Sequence, residues 1–293
     1  MIQSAYWAHE NFGEDLAAEI GAHRAYGRLL VSEKPVIDSV WAQNIWREPQ
    51  ILKIASIGDA VKQLKKLGHR WTLAPVESVR RSRLIEEQLR PLKIKPIAFL
   101  EKWPAKSGVF ALLDNDTLIA SPTVSMPFAN GEMVFIESDE PPSRAYLKLW
   151  EHFTATGTQP LKDESCIDLG SCPGGWTWVL SELGCQVISV DKAPLDEKLL
   201  KRTNVRPMKK DVFTLKPEEI GKVDWLFSDV ICEPRKLLDL VHVWRASGLV
   251  KHFVCTIKFK GATDHEVVKD FLKIEGSQAR HLFNNKHEIT WWV

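Results

Sequence analysis

The chain has 293 residues, a length that suggests two domains. Its formal net charge is +1, so no global field draws it to nucleic acid, and any such attraction has to come from a local patch. A content of 44% hydrophobic and 26% charged residues fits a soluble globular protein, with neither an apolar run long enough for a membrane span nor a basic-then-apolar leader.

Five scattered cysteines (Cys166, Cys172, Cys185, Cys232 and Cys255) form no C-x-x-C pair and read as reduced core thiols of a cytoplasmic protein. His265, His281 and His287 show no ligand spacing, so no metal is expected.

In chain order, Ser4 to Ala8 predicts a strand. Gly13 to Ile20 predicts a helix, with acids in its first turn where the dipole favours them. Arg28 to Glu33 alternates as a strand, while Pro35 to Pro49 has no clear pattern. Ile51 to Ser56 reads as a strand, Ile57 to Leu67 as a helix stopped by Gly68, Trp71 to Val76 as a strand and Ser78 to Leu89 as a helix. Ile94 to Leu100 follows, then a hairpin of Val109 to Leu113 and Thr117 to Ala120 around Asp114-Asn-Asp116, and Glu132 to Ile136 closes the region.

The acids and prolines of Ser138-Asp-Glu-Pro-Pro142 read as a linker. The expected division is therefore a smaller α+β domain over 1–137 and an α/β domain over 138–293.

From Lys62 to Lys106 the first domain carries twelve basic residues against four acidic ones, a local bias of about +8. That is the footprint expected for RNA, with Arg80, Arg81 and Arg83 as candidate phosphate ligands. Trp71 and Trp103 lie within the stretch, where core packing is the expectation for each and base stacking the alternative.

The second domain turns on Cys166-Ile-Asp-Leu-Gly-Ser-Cys-Pro-Gly-Gly-Trp-Thr-Trp178. A strand runs into Asp168, a glycine-rich turn spans Gly170 to Gly175, and a helix begins near Trp176. Gly170 permits the sharp turn, and Gly174 and Gly175 are expected to leave room for a ligand against the backbone. Further strands are expected at Gln186 to Asp191, Val205 to Lys209, Val223 to Asp229 and His252 to Lys258. Helices are expected from Pro234 to Ser247 and Asp264 to Ile274, and a last hairpin from Ala279 to Phe283 with Glu288 to Val293. The carboxylate of Asp191, about twenty residues past the turn, sits where nucleotide-binding α/β folds receive ribose hydroxyls.

The pattern D-x-G-x-x-P-G-G-[WF] resembles the S-adenosylmethionine (SAM) loop of FtsJ-type ribose 2′-O-methyltransferases. The resemblance implies a Rossmann-like methyltransferase domain with an antiparallel last strand, and SAM as cofactor. Its cofactor residues would be Asp168, Gly170, Cys172, Pro173, Gly174, Gly175, Trp176, Asp191, Asp229 and, toward the adenine amino group, Asp211. It also implies a Lys-Asp-Lys-Glu tetrad, matched by Lys148 in Ser143-Arg-Ala-Tyr-Leu-Lys148, by Asp229 and Lys258 at strand ends, and by Glu288 opening the last strand.

Pro142-Ser-Arg-Ala-Tyr-Leu-Lys-Leu149 is similar to the junction in the RlmM branch of the family, which has a THUMP-like region in front of its catalytic domain and acts on large-subunit ribosomal RNA. Ribosomal RNA is then the expected substrate, with Arg144 a further RNA contact. Lys258 is the expected proton acceptor and Lys148 the steering cation, roles that could be exchanged. Two other readings stay open. One is a non-catalytic RNA-binding or assembly factor that kept the fold, and the other is a small-molecule O-methyltransferase.

Overall fold

The computed structural model describes residues 2–89, 95–101, 107–126 and 128–293. The chain divides into two compact units, Met1–Phe135 and Ile136–Val293.

The first unit contains β1 (Ser4–Ala8), α1 (Gly13–Ile20), β2 (Arg24–Tyr26), β3 (Leu29–Ser32), β4 (Ala42–Trp46), β5 (Gln50–Lys53), α2 (Ile57–Leu67), β6 (Trp71–Leu73), α3 (Val79–Gln88), β7 (Gly108–Leu112) and β8 (Thr117–Ser121). Among the described residues these strands form two four-stranded sheets, ordered β2-β3-β1-β4 and β5-β8-β7-β6.

Strand β7 shows what holds the layers together. Val109, Ala111 and Leu113 pack with Trp7, Val31 and Trp46 of the first sheet. Phe110 and Leu112, on the opposite face, pack with Leu64 of α2 and Ile85 of α3. Successive side chains of a strand point to opposite faces, so a strand covered on both sides must be apolar throughout. Helix α2 is capped by Ser56, whose Oγ accepts the Asp59 N–H at 3.1 Å.

Three expectations for this unit change. Strand β4 lies inside the stretch with no clear pattern, because all five of its residues are buried and leave no alternation to read. Glu132 to Ile136 forms no strand, and Phe135 forms an isolated bridge with Ile97. The described residues of Ile94 to Leu100 likewise form no strand beyond that bridge; Ile94 itself, like Arg90, Lys93, Lys102, Trp103 and Lys106 of the basic stretch, lies outside the described residues. Trp71 is core, 2% exposed, and donates its indole N–H to the Leu64 carbonyl at 3.0 Å.

The second unit contains α4 (Tyr146–Thr156), β9 (Ser165–Leu169), α5 (Gly175–Glu182), β10 (Gln186–Asp191), α6 (Glu197–Leu200), β11 (Val205–Lys209), α7 (Pro217–Ile220), β12 (Val223–Ser228), α8 (Pro234–Ala246), β13 (Val250–Lys258), α9 (His265–Leu272), β14 (Gln278–Arg280) and β15 (Glu288–Trp292). Its seven-stranded sheet has the order β11-β10-β9-β12-β13-β15-β14. The first five are parallel, and β15 runs antiparallel to both β13 and β14. Strand order reverses between β9 and β12, which opens a crevice beyond their carboxyl ends.

Helix α4 was not visible as a periodic pattern. It is buried from Leu149 through Thr154 without a break, so it lacks the polar face that marks an amphipathic helix. It ends at Gly157, which takes the left-handed conformation at φ +67°. Among the described residues no helix is long and apolar enough to cross a membrane.

Candidate active site

The carboxyl ends of β9, β10, β11, β12 and β13 bring Asp168, Asp191, Asp211, Asp229 and Lys258 to one cleft of about 780 Å³. Gly170, Cys172, Pro173, Gly175 and Trp176 form the wall contributed by the glycine-rich turn.

Asp168 is fully buried, and its Oδ2 accepts the Thr177 hydroxyl at 2.6 Å. Burial, then the nearby charges of Asp229 and Asp191, push its carboxyl up to about 7, against the Thr177 bond. Its Oδ1 has no hydrogen-bond partner in the protein, and neither do the buried hydroxyls of Ser143 and Ser171 on the same wall. A buried carboxylate oxygen without a partner is costly unless a ligand donates to it.

Asp191 takes the Cys172 N–H on Oδ2 at 3.0 Å and the Ala193 N–H on Oδ1 at 2.9 Å, so it braces the turn as well as lining the cleft. Asp211 pairs with Lys192 at 2.7 Å and accepts the Phe213 N–H at 3.0 Å. The Lys192 bond is the main reason its carboxyl lies below the usual range. Trp176 is buried and donates its indole N–H to the Ala145 carbonyl at 3.0 Å, tying α5 to the segment that leads into α4.

Gly170 takes φ +80°, as its sharp turn requires, and the bare Cα positions of the three glycines face other parts of the domain. A Cβ on Gly174 would lie 2.2 Å from Leu199 Cδ1, and Gly174 does not line the cleft. A Cβ on Gly175 would meet Ser143 Oγ at 2.5 Å, and one on Gly170 would meet Val230 Cβ at 2.6 Å. These bare positions let the turn pack against its own domain. A Gly174→Val change would act through that packing and its φ of +120°, not by blocking a ligand. Cys172 is exposed and Cys232 half-buried on this cleft, so these two are not core thiols.

Lys148, Asp229, Lys258 and Glu288 come together in one cluster. Lys148 Nζ lies 3.0 Å from Asp229 Oδ1 and 2.6 Å from Glu288 Oε1. Lys258 Nζ lies 3.0 Å from Asp229 Oδ1 and 3.9 Å from Glu288 Oε2, and donates to the Asp229 carbonyl at 2.6 Å. The sheet register explains the meeting, since Lys258 and Glu288 are direct cross-strand partners on β13 and β15. The Thr256 hydroxyl donates to Asp229 Oδ1 at 2.5 Å.

Burial pulls the Lys148 ammonium down, but Asp229 and Glu288 outweigh it and hold the group above the ordinary lysine value. Burial likewise pushes Asp229 up, and Lys148 with Lys258 reverses this to a net lowering. The two carboxylates thus favour the charged form of Lys148.

A second cleft of about 850 Å³ is lined by Lys148, Lys258, Glu288, Lys260, Lys286 and Arg144 among others. The two clefts share Ser143, Ala145, Ile231, Cys232 and Lys258. Arg144 is exposed and pairs with Glu137 at 2.8 Å. The sequence reading missed Ser143, Ser171 and Cys232. Ser143 stood within the S-R-x-x-x-K match, but a serine there carries no pattern of its own.

In the first unit, Arg80 and Arg83 are exposed on α3, while Arg81 is half-buried with no hydrogen-bond partner for its Nε. Helical spacing puts Arg80 and Arg83 on one face and turns Arg81 aside.

Residues 141–281 match the model of the FtsJ-like methyltransferase family. The ribosomal RNA large subunit methyltransferase M of Shewanella denitrificans is 31% identical over 166 residues, 51% of this chain and 45% of that protein. The protein of the same name from Shewanella sp. (strain MR-4) is 28% identical over 184 residues, 57% of this chain and 51% of that protein. The chain thus spans about half the length of the curated relatives it matches. TrmN from Thermus thermophilus aligns over 100% of this chain and 99% of its own at 14% identity and a TM-score of 0.37, a likeness too weak to bear on function. Over residues 141–281 the chain is thus similar to the FtsJ-like methyltransferase family.

Proposed function

We propose that this protein transfers a methyl group from SAM to a ribose 2′-hydroxyl of RNA, with ribosomal RNA as the substrate. The observation that carries the reading is the meeting of two clefts at Lys258, where Lys148, Asp229 and Glu288 surround it. One cleft suits the cofactor. Asp168 Oδ1 would take its ammonium, Asp191 its ribose hydroxyls and Asp211 its adenine amino group. Bound SAM supplies a methyl group already activated on a sulfonium.

The protein then has to align a hydroxyl and remove its proton. Lys258 borders both clefts and would accept that proton as the 2′-oxygen bonds to the methyl carbon and the carbon–sulfur bond breaks. Lys148 lines the second cleft and not the first, and sits between two carboxylates, from where it would hold the hydroxyl. Asp229 and Glu288 would orient the two ammonium groups.

The first unit would hold RNA, as a THUMP-like or other α+β module. Lys62, Lys65 and Lys66 on α2 are exposed, as are Arg80 and Arg83 on the neighbouring α3. Both helices cover the same face of the second sheet, so their outer surfaces lie side by side. Such cations bind phosphates without reading sequence.

The test is transfer of labelled methyl from SAM to total RNA, followed by digestion to nucleosides. The reading expects label in ribose-methylated nucleosides. Label on a base refutes it, and SAM binding with no transfer to RNA points to a non-catalytic factor or a small-molecule substrate.

A further inference from the structure

Glu151 is fully buried on α4 and takes no part in the chemistry above. It lies three residues after Lys148, on the same face of the helix. Its Oε1 accepts the Phe283 N–H at 2.7 Å, and its Oε2 accepts both the N–H and the side-chain amide of Asn284 at 2.8 Å. Three donors converging on one carboxyl suit the ionised form, which accepts on both oxygens and donates from neither. Burial is the larger effect and holds the Glu151 carboxyl above its ordinary value, opposed by the same three donors and the charge of Arg280.

Phe283 and Asn284 open the turn between β14 and β15. The next residue, Asn285, donates to the Glu288 carbonyl at 3.1 Å and to the Thr290 hydroxyl at 3.2 Å. His281 Nε2 lies 2.8 Å from the Lys286 carbonyl and closes the turn from its other side. Asn284, Lys286, His287 and Glu288 line the second cleft. A ring of contacts therefore runs from Glu151 through the turn to Glu288, then through Lys148 back to α4.

We propose that Glu151 is a positioning residue for methyl transfer. As a carboxylate it fixes the 283–287 turn, and so sets Glu288 against Lys148 and shapes the wall of the substrate-side cleft. This rests on the function proposed above. A residue that only filled space could be replaced by glutamine, which has almost the same shape. Glutamine presents a donor on one side, and there it would face an N–H of the turn with nothing to accept it.

The test is Glu151→Gln in the full chain. It reads amide hydrogen exchange at Phe283 and Asn284, SAM affinity, and the single-turnover rate of methyl transfer to RNA. Exchange is expected to quicken in the 283–287 turn. SAM affinity is expected to hold, since no residue of the turn lines the cofactor cleft. The transfer rate is expected to fall on the order of 10²-fold, the loss that a misplacement of about 1 Å can cause.

An unchanged transfer rate in the folded variant overturns the proposal, even if the variant is less stable. Should Glu151→Gln not fold, Asn284→Ala removes one donor and keeps the carboxylate. It is expected to lower the rate by less, and no loss there also overturns the proposal. A wild-type protein that transfers nothing to RNA refutes the function proposed above. The exchange measurement then decides the tie, and unaltered protection of the turn in Glu151→Gln overturns it.

Discussion

Lys148 Nζ lies 2.6 Å from Glu288 Oε1, joining the first helix of the second unit to its last strand. Lys148 is 12% exposed and Glu288 only 6%, so the pair is not a screened surface contact. Lys148→Met should leave Glu288 without its nearest cation, and Asp229 with only Lys258. Breaking a buried pair from one side costs about 3 kcal/mol or more, and Lys258 beside Asp229 keeps this case at the low end. The stability that Lys148 lends is complete below the ordinary lysine pKa and is lost only as pH rises through its raised value. Urea unfolding at neutral pH measures the loss. A cost under about 1 kcal/mol would mean the pair behaves as if exposed.

Asp168 gives a pH dependence with a definite sign. Its carboxyl sits at about 7, against an ordinary value of 3.8. The stability it lends the free protein is therefore present below 3.8 and is lost as pH rises through about 7. An ammonium ligand needs the ionised form. SAM affinity should therefore weaken roughly tenfold per pH unit as pH falls below 7, because the free protein takes up a proton that binding must expel. Calorimetry from pH 5 to 7 in two buffers of different ionisation enthalpy reads both the affinity and the proton release. Asp168→Asn should bind weakly at every pH with no such slope. A wild-type affinity that is flat across this range would separate Asp168 from the ammonium.

Neutralising Arg80, Arg81 and Arg83 together should weaken RNA binding and flatten its salt dependence, by about 0.7 in log–log slope for each lost phosphate contact to a single strand. Arg80 and Arg83 share the exposed face and should account for most of the change. SAM affinity should not move. Filter binding at several salt concentrations checks this, and an unchanged slope would leave these arginines as ordinary surface charge.

The strand, glycine turn and helix around Asp168 were legible because local chemistry dictates each part. An apolar run, a turn that needs glycine and a helix start follow one another within thirteen residues. Asp229 and Lys258 stood out as the ends of apolar strands, but Lys148 and Glu288, and the grouping of all four, came only through the family resemblance. Their meeting depends on β15 entering the sheet beside β13, a long-range pairing that no local pattern encodes. Helix α4 and strand β4 were missed for one reason: burial on more than one face erases the periodicity that marks an element. A glycine in a ligand loop and a glycine against a neighbouring leucine look alike in sequence, so that the bare side of Gly174 faces Leu199 could be learned only from the fold. Glu151 was invisible, since a buried carboxylate is recognisable only by the donors that fold around it.

The central claim, that Lys258 removes the hydroxyl proton where the two clefts meet, is tested most directly by single-turnover methyl transfer with Lys258→Arg. Arginine keeps the charge beside Asp229 but stays protonated at any useful pH. The variant is expected to fold, to bind SAM and RNA as the wild type does, and to transfer methyl slower by about 10² to 10⁴. A Lys258→Arg protein with a near-normal single-turnover rate would contradict it, leaving the lysine a positioning cation and the proton to another acceptor.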